Sequence, residues 1–139
     1  MLRKIENISE YLKESGIKPS YQRIRIFEYL MHTKEHPTVD TIYRALVPEI
    51  PTLSKTTVYN TLNLFVENRI AYLISIEENE ARYDADTSLH GHFKCVSCQK
   101  VFDFDVEADQ LRYGGPEGSE VREKHVYYKG LCSGCNQIQ

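Results

Sequence analysis

The sequence predicts an α+β chain in two parts: a helical half that ends in a β-hairpin, then a C-terminal α/β half organised around cysteines. Three observations carry this expectation. Apolar residues recur at helical spacing, with cap signals, as far as Asn68. The pattern then changes to strict alternation at Ile70, Tyr72, Ile74 and Ile76. All four cysteines fall within the last 45 residues, as Cys95-x-x-Cys98 and Cys132-x-x-Cys135. Short helices followed by a hairpin is the order of a winged helix-turn-helix.

The elements follow in turn. Ile5, Ile8 and Leu12 keep helical spacing, and Gly16 stops the first helix. Pro19 and Ser20 open a second, whose expected apolar face is Ile24, Phe27, Leu30 and Met31. Pro37 and Thr38 start a third, carrying Ile42 and Leu46. Pro48 and Pro51 predict an extended connector. Ser54 is the N-cap of a fourth helix that buries Val58, Leu62 and Phe65, and Asn68 is expected to end it in the left-handed conformation. The hairpin comprises Ile70–Ile76, a turn at Glu77–Glu80 and a return at Ala81–Ala85. Asp86–Leu89 reads as a hinge. Beyond it, strands are expected at Gly91–Val96, Lys100–Phe104 and His125–Gly130, with a short helix at Val106–Tyr113 and a loop over Gly114, Gly115, Pro116 and Gly118.

Composition narrows the class. The 139 residues are 41% hydrophobic and 27% charged, which is ordinary for a globular chain. The net charge is −3. Residues 1–82 hold 11 basic and 11 acidic side chains, so the acidic excess lies in the C-terminal part. Net charge therefore gives no support for a nucleic-acid partner and predicts modest phosphate contact. No segment approaches a membrane span and no signal-peptide pattern opens the chain, so a cytoplasmic location is expected, with no membrane partner. Cysteines in that setting point to metal or redox chemistry rather than structural disulfides.

The two CxxC pairs are separated by 33 residues. Each pair brings two thiolates to one metal from a tight turn, and together they complete the tetrahedral sulfur shell of a structural zinc site. A redox dithiol is the competing reading, which a single pair would leave open. A second group of ligand-type residues stands apart from these. His90 and His92 precede the first CxxC at a spacing of two, so on a strand both imidazoles project to one face. Asp84 lies six residues earlier, Asp103 lies five after Cys98, and His36 precedes Pro37. Histidine and carboxylate donors in this mixture suit Fe²⁺ or Mn²⁺. Taken singly, each has a plainer reading as a solvated or helix-capping side chain. No phosphate-binding glycine loop and no nucleophile constellation is present, so catalytic turnover is not expected.

These residues resemble the ferric uptake regulator (Fur) family over nearly the whole chain. The resemblance is carried by Gly16–Arg23, by His36-Pro37-Thr38-Val39-Asp40-Thr41-Ile42-Tyr43, by Ser54–Leu62, by Arg82-Tyr83-Asp84, and most specifically by His90-x-His92-x-x-Cys95-x-x-Cys98. It implies a winged-helix DNA-binding domain at residues 1–83 and a metal-binding α/β dimerisation domain at 84–139. It also implies a homodimer on an A·T-rich inverted repeat of double-stranded DNA, and a regulatory site of His36, Asp84, His90, His92 and Asp103. Aspartate at 84 and 103, where iron- and zinc-sensing members commonly carry glutamate, resembles the peroxide-sensing PerR branch. In that branch Fe²⁺ in the site reacts with peroxide and a ligand histidine is oxidised, at positions matching His36 and His90; Mn²⁺ supports repression without the oxidation. The implied alternative is a repressor that senses iron or zinc level without peroxide chemistry. Alternatives of another kind are a thiol redox switch through the CxxC pairs and an architectural DNA module with zinc only for folding.

The chain departs from the family pattern between the CxxC pairs. The stretch is shorter than usual, and Gly114–Gly118 falls where a longer dimerisation helix would stand. Gly91 occupies a position that holds a ligand in some relatives, and His125 reads as a strand-edge histidine. The fourth helix is the expected recognition element, with Lys55, Thr56, Thr57, Tyr59 and Asn60 near its start and Arg23 on the DNA backbone. Asn60 matches adenine N6 and N7. Packing of Thr57 and Tyr59 against their own helix is the alternative.

Overall fold

Serine and threonine caps set the helical frame of the computed structural model, which describes residues 7–33, 35–74, 81–88, 90–107 and 113–137. The chain divides into two compact units, Met1–Ser88 and Leu89–Gln139. In the first unit, α1 (Ile8–Glu14), α2 (Tyr21–His32), α3 (Val39–Leu46) and α4 (Lys55–Glu67) precede a two-stranded sheet. Asn7, Ser20, Thr38 and Ser54 are the four N-caps, each accepting from a backbone N–H in the first turn. Gly16, at φ 86°, closes α1 in a Schellman turn: Ile17 N–H bonds Leu12 O at 2.8 Å.

Three local expectations are corrected. The Pro48–Pro51 connector is not extended. It forms hydrogen-bonded turns, in which Ile50 N–H reaches Leu46 O at 2.9 Å and Leu53 N–H reaches Ile50 O at 2.9 Å. These bonds, with Ile50 and Leu53 buried, outweigh the usual bias of a residue before proline. At the end of α4 the left-handed residue is Arg69, at φ 62°, and not Asn68. Asn68 instead uses its amide, Nδ2 donating to Leu64 O at 2.8 Å. The face of α2 is also turned slightly: Ile26, Phe27, Leu30 and Met31 are buried, while Ile24 is a flanking, half-buried contact.

The core of this unit runs through all four helices and into the hairpin: Leu12, Ile17, Phe27, Leu30, Ile42, Leu46, Val58, Leu62, Phe65 and Tyr83 pack as one cluster. Phe27 meets Phe65 edge-on at 5.3 Å. Strand β1 (Tyr72–Ile74) pairs antiparallel with β2 (Arg82–Asp84). The expected turn at Glu77–Glu80, together with Ile5 and Ile76, lies outside the described residues.

The second unit is a three-stranded sheet of order β4-β3-β5, with β3 at His90–Cys95, β4 at Val101–Asp105 and β5 at Val126–Gly130. β3 pairs antiparallel with β4 and parallel with β5. Its alternation puts His90, His92 and Lys94 on one face and Gly91, Phe93 and Cys95 on the other. A 3₁₀ turn, Cys135–Gln137, ends the described chain. The expected helix at Val106–Tyr113 rests mainly on residues 108–112, outside the described residues. Residues 114–118 form a loop in which Ser119 Oγ donates to Pro116 O at 2.6 Å.

Candidate metal centres and nucleic-acid interface

Two turns bring the four cysteines together. β3 ends at Cys95 and turns at once, with Gln99 N–H on Cys95 O at 3.0 Å and Cys95 N–H on Lys100 O at 3.0 Å. Val96 N–H bonds Gly130 O at 2.8 Å, which ties this turn to the end of β5, where Cys132 and Cys135 follow. The four Sγ atoms all lie within 4.8 Å of one another, and Cys98 Sγ is 3.9 Å from Cys132 Sγ. A tetrahedral zinc with bonds of about 2.3 Å has sulfur–sulfur edges of about 3.8 Å, close to the Cys98–Cys132 separation, so the cluster has the size that ion needs. The N–H groups of Cys132 and Cys98 both point at Cys95 Sγ from 3.4 Å. These two bonds hold the Cys95 thiol down to about 6. At Cys135 the Ser97 hydroxyl favours the thiolate, but the neighbouring sulfurs of Cys132, Cys95 and Cys98, together with burial, push the thiol up to about 11. Four thiolates this close need a cation among them.

The second donor set is built in two places. In the first unit, three successive residues of β2 grip the loop between α2 and α3. Arg82 Nη1 donates to His36 O at 3.2 Å, Tyr83 N–H donates to Pro37 O at 3.0 Å, and Asp84 Oδ2 lies 3.5 Å from His36 Nε2. His36 is buried and held at φ 53°, a conformation few non-glycine residues adopt, here directly before a proline. Strain of this kind persists only where surrounding bonds over-determine it, and it gathers at functional positions. Asp84 is also fixed from behind, accepting from Asp86 N–H at 2.9 Å.

In the second unit, ladder register does the positioning. His92 faces Asp103 on β4 and Tyr127 on β5, and His90 stands two residues along on the same face. His90 Nε2 and His92 Nε2 are 3.0 Å apart, and Asp103 Oδ1 lies 3.6 Å and 3.4 Å from them. Bonds of about 2.1 Å at right angles give donor separations of about 3 Å, so these three side chains suit one octahedral cation. Both histidines are buried and Asp103 is exposed. His125 stands just before β5, with Nε2 3.3 Å from Glu123 Oε2 and its ring 6.0 Å from that of Tyr127.

Two residues that bear on these sites were not among the site residues expected from the sequence, although Arg82 stands in the Arg82-Tyr83-Asp84 segment. Arg82 shares a strand face with Asp84 at a spacing of two, a signal that alternation alone contains. Lys94 is buried on the histidine face and donates from Nζ to Gln99 O at 2.8 Å, closing the cysteine turn. A buried ammonium needs such a partner; the His90-x-His92-x-Lys94 spacing is the signal for it.

The expected DNA-contacting residues separate into three groups. Arg23, Thr57 and Asn60, with Lys18, Pro19, Ser20, Gln22 and Thr61, line one groove of about 450 Å³ where α2 begins and α4 passes. Arg23 Nη1 donates to Lys18 O at 2.8 Å, and Thr57 is part of the α4 cap, its Oγ1 accepting from Ser54 at 2.9 Å. Thr56 and Tyr59 are exposed on α4, with Tyr59 52% accessible. Lys55 is turned the other way, onto Asp40 of α3.

Comparison with known proteins places this arrangement. The model of the ferric uptake regulator family matches residues 14–128. The chain is 36% identical over 132 residues to the peroxide operon regulator of Bacillus subtilis, covering 92% of this chain and 90% of that protein. It is 36% identical over 128 residues to the peroxide-responsive repressor PerR of Staphylococcus aureus, covering 89% of this chain and 86% of that protein. Among solved structures it resembles PerR from Streptococcus pyogenes, with a TM-score of 0.55 and 30% identity over 96% of both chains. It shares the fold of the Helicobacter pylori ferric uptake regulator, with a TM-score of 0.75 and 20% identity over 97% of this chain and 95% of that one. A sulfur cluster and a histidine–aspartate set on this fold, with a family match spanning most of the sequence, lead to one assignment: the chain belongs to the ferric uptake regulator family.

Proposed function

We propose that this protein is a metal-dependent transcriptional repressor that responds to peroxide and is not an enzyme. The observation that carries the reading is the contrast between its two donor sets. One is all sulfur; the other is histidine and aspartate, with the His90, His92 and Asp103 donors spaced as ligands of one cation. Similarity over most of the chain to peroxide-responsive repressors supports the same conclusion.

Structural Zn²⁺ is assigned to Cys95, Cys98, Cys132 and Cys135, and regulatory Fe²⁺ or Mn²⁺ to His36, Asp84, His90, His92 and Asp103. The latter residues would hold Fe²⁺, which would supply the chemistry that splits the O–O bond of peroxide, one oxygen being taken by a ligand imidazole and the other leaving as water; Mn²⁺ would not supply it. His36 and His90 are the rings expected to take that oxygen. His36 is constrained by Arg82 at its own carbonyl, by Tyr83 at the carbonyl of the next residue, Pro37, and by Asp84 at its ring, so a ring altered by oxidation has little freedom to restore its bond. Loss of one donor weakens the site, and the equilibrium that metal had biased toward the DNA-binding state relaxes.

The DNA partner is an A·T-rich inverted repeat of double-stranded DNA bound by a homodimer in the cytoplasm. Residues 1–83 form the DNA-binding domain and 84–139 the metal-binding dimerisation domain. Arg23 and Lys55 serve phosphates, and Thr56, Thr57, Tyr59 and Asn60 face the groove of the DNA.

The test is peptide mass spectrometry on Fe²⁺-loaded protein after a brief, low dose of peroxide, beside a Mn²⁺-loaded control. One added oxygen on the peptides holding His36 or His90, with iron only, is the expected result. Unmodified histidines with DNA binding that follows metal level would make the chain a metal-level sensor. Oxidised cysteines would move the signal to the thiols.

A further inference from the structure

The cations at the start of α4 and the end of α3 are already held by a carboxylate of this chain. Lys55, the first residue of α4, places Nζ 2.8 Å from Asp40 Oδ1. Arg44, one turn beyond Asp40 on α3, places Nε 3.0 Å from the other oxygen, Oδ2. Each carboxylate oxygen takes one cation, as two phosphate oxygens would. Lys55 also stands 5.6 Å above the ring of Tyr43, which fixes the direction of its side chain. Lys55 and Arg44 are open to solvent, with side-chain exposure of 59% and 78%, while Asp40 is 39% exposed and its Oδ1 is covered. The hydrogen bond from Lys55 keeps the Asp40 carboxyl below the usual carboxylate range against the effect of burial, and the charges of Arg44 and Lys55 add to it.

Folding gives this trio a small reason: Asp40 lies in the first turn of α3 and pairs with Arg44 at i,i+4, each a modest stabilisation of the helix. Exposed ion pairs contribute about 1 kcal/mol or less, and α3 is already capped by Thr38, whose Oγ1 accepts from Thr41 N–H at 3.1 Å. For a DNA-binding surface the same trio matters more. Residues 1–82 carry 11 basic and 11 acidic side chains, so this region has no cationic excess to draw on. Arg25, the next cation on α2, is likewise taken by Glu49 and Glu28. Binding without regard to sequence rests on phosphate neutralisation, each contact adding about −0.9 to the slope of log affinity against log salt.

We propose that Asp40 is an intramolecular stand-in for a DNA phosphate: it occupies Lys55 and Arg44, restrains sequence-independent binding, and thereby sets the repressor's specificity. The proposal rests on the reading of α4 as the DNA-contacting helix. A phosphate reaching this surface must displace Asp40, and a cognate site repays that exchange through base contacts while a random one does not.

The experiment measures binding of the Mn²⁺-loaded full-length protein over a range of salt concentrations. Its probes are a random-sequence duplex and a duplex carrying an operator selected by the wild-type protein from a random library. Asp40→Asn is expected to tighten binding to the random duplex on the order of tenfold and to steepen its salt slope by about one to two. The ratio of operator to random affinity falls accordingly. Adding Lys55→Gln to Asp40→Asn should bring the slope back toward wild type, and Asp40→Glu, which keeps the charge, should leave it unchanged. An Asp40→Asn slope equal to wild type overturns the proposal, as does weaker binding or an Asp40→Glu protein that behaves like Asp40→Asn. A wild-type protein that binds neither duplex overturns the DNA-binding reading itself. Unchanged far-ultraviolet circular dichroism of each variant confirms that α3 and α4 remain folded.

Discussion

The first unit buries leucine, isoleucine and phenylalanine side chains along every helix, from Leu12 to Phe65, and closes them with Tyr83. The second, among the described residues, buries His90, Gly91, His92, Lys94 and Cys95 on one central strand and leaves Val96, Phe102, Tyr128 and Leu131 exposed. One unit is held by apolar burial, the other by a ladder of strands and by whatever joins its sulfur atoms. A sheet of three short strands has little core of its own, and small units of this kind use metal as a folding ligand. Sensing then belongs where stability is conditional. The unit that holds the cysteine cluster is the one that needs a cation to fold, while the helical unit, which offers His36 and Asp84 as donors, is held by its own core.

Removing zinc is the largest perturbation this contrast predicts. Structural zinc contributes on the order of 10–16 kcal/mol in small domains. A strong chelator, or Cys95→Ser with Cys132→Ser, should abolish the β-structure of residues 89–139 while helical circular dichroism from the first unit persists. The reverse experiment is Phe65→Ala. Phe65 is fully buried against Phe27, and its truncation should cost about 3–5 kcal/mol. That variant should lose helix at lower temperature yet keep its zinc, measured by metal content after gel filtration. If chelation unfolds both units together, or Phe65→Ala releases zinc, the two parts are not independently stabilised.

A smaller effect tests the ladder itself. Gly91 sits opposite Phe104, and a methyl group added at Gly91 would come within 2.1 Å of the Phe104 ring. That ring also stacks on Tyr128, 5.1 Å away on the other edge strand, so it spans the sheet over the glycine. Gly91→Ala should therefore destabilise the second unit by about 1–3 kcal/mol and weaken metal binding at the adjacent His90 and His92. Phe104→Leu in the same chain should recover part of the loss, because it removes the clashing ring. Isothermal titration with Mn²⁺ reads the outcome; an unchanged affinity would mean the ladder does not set the histidines' positions.

The same contrast explains what the sequence could disclose. The helix starts at Ser20, Thr38 and Ser54 and the stop at Gly16 were legible because each is decided within one turn of chain. The cysteine pairs were legible because zinc chemistry fixes their spacing. The connector after α3 was misread because buried Ile50 and Leu53, rather than the prolines, decide its shape. The face of α2 was misread for a similar reason: two overlapping arcs of that helix are apolar, and only its partners choose Ile26 over Ile24. The pairing of β5 parallel to β3, and the grip of Arg82 on the His36 carbonyl, join residues more than 30 positions apart and leave no periodic trace. At the histidine face, spacing showed that His90 and His92 could act together, but ladder register was needed to set Asp103 beside them.

The smallest expected effects compare one strained residue from each unit. Arg69 ends α4 at φ 62° and Gln99 ends the first cysteine turn at φ 68°. Both occupy the left-handed region, where glycine is free of the side-chain clash. Arg69 is exposed, and its N–H bonds Val66 O at 3.0 Å, a backbone bond that glycine keeps. Arg69→Gly should raise the stability of the first unit by about 0.5–1 kcal/mol. Gln99 differs because its Nε2 donates to Val96 O at 2.9 Å across the cysteine turn. Gln99→Gly relieves the strain but loses that bond, worth about 1 kcal/mol, so its net effect on the zinc-loaded protein should be close to zero. Differential scanning calorimetry of the two variants separates the contributions. A clear gain for Gln99→Gly would mean that the cysteine turn, even with zinc bound, is limited by backbone strain, and the second unit would then depend on local conformation as much as on its metal.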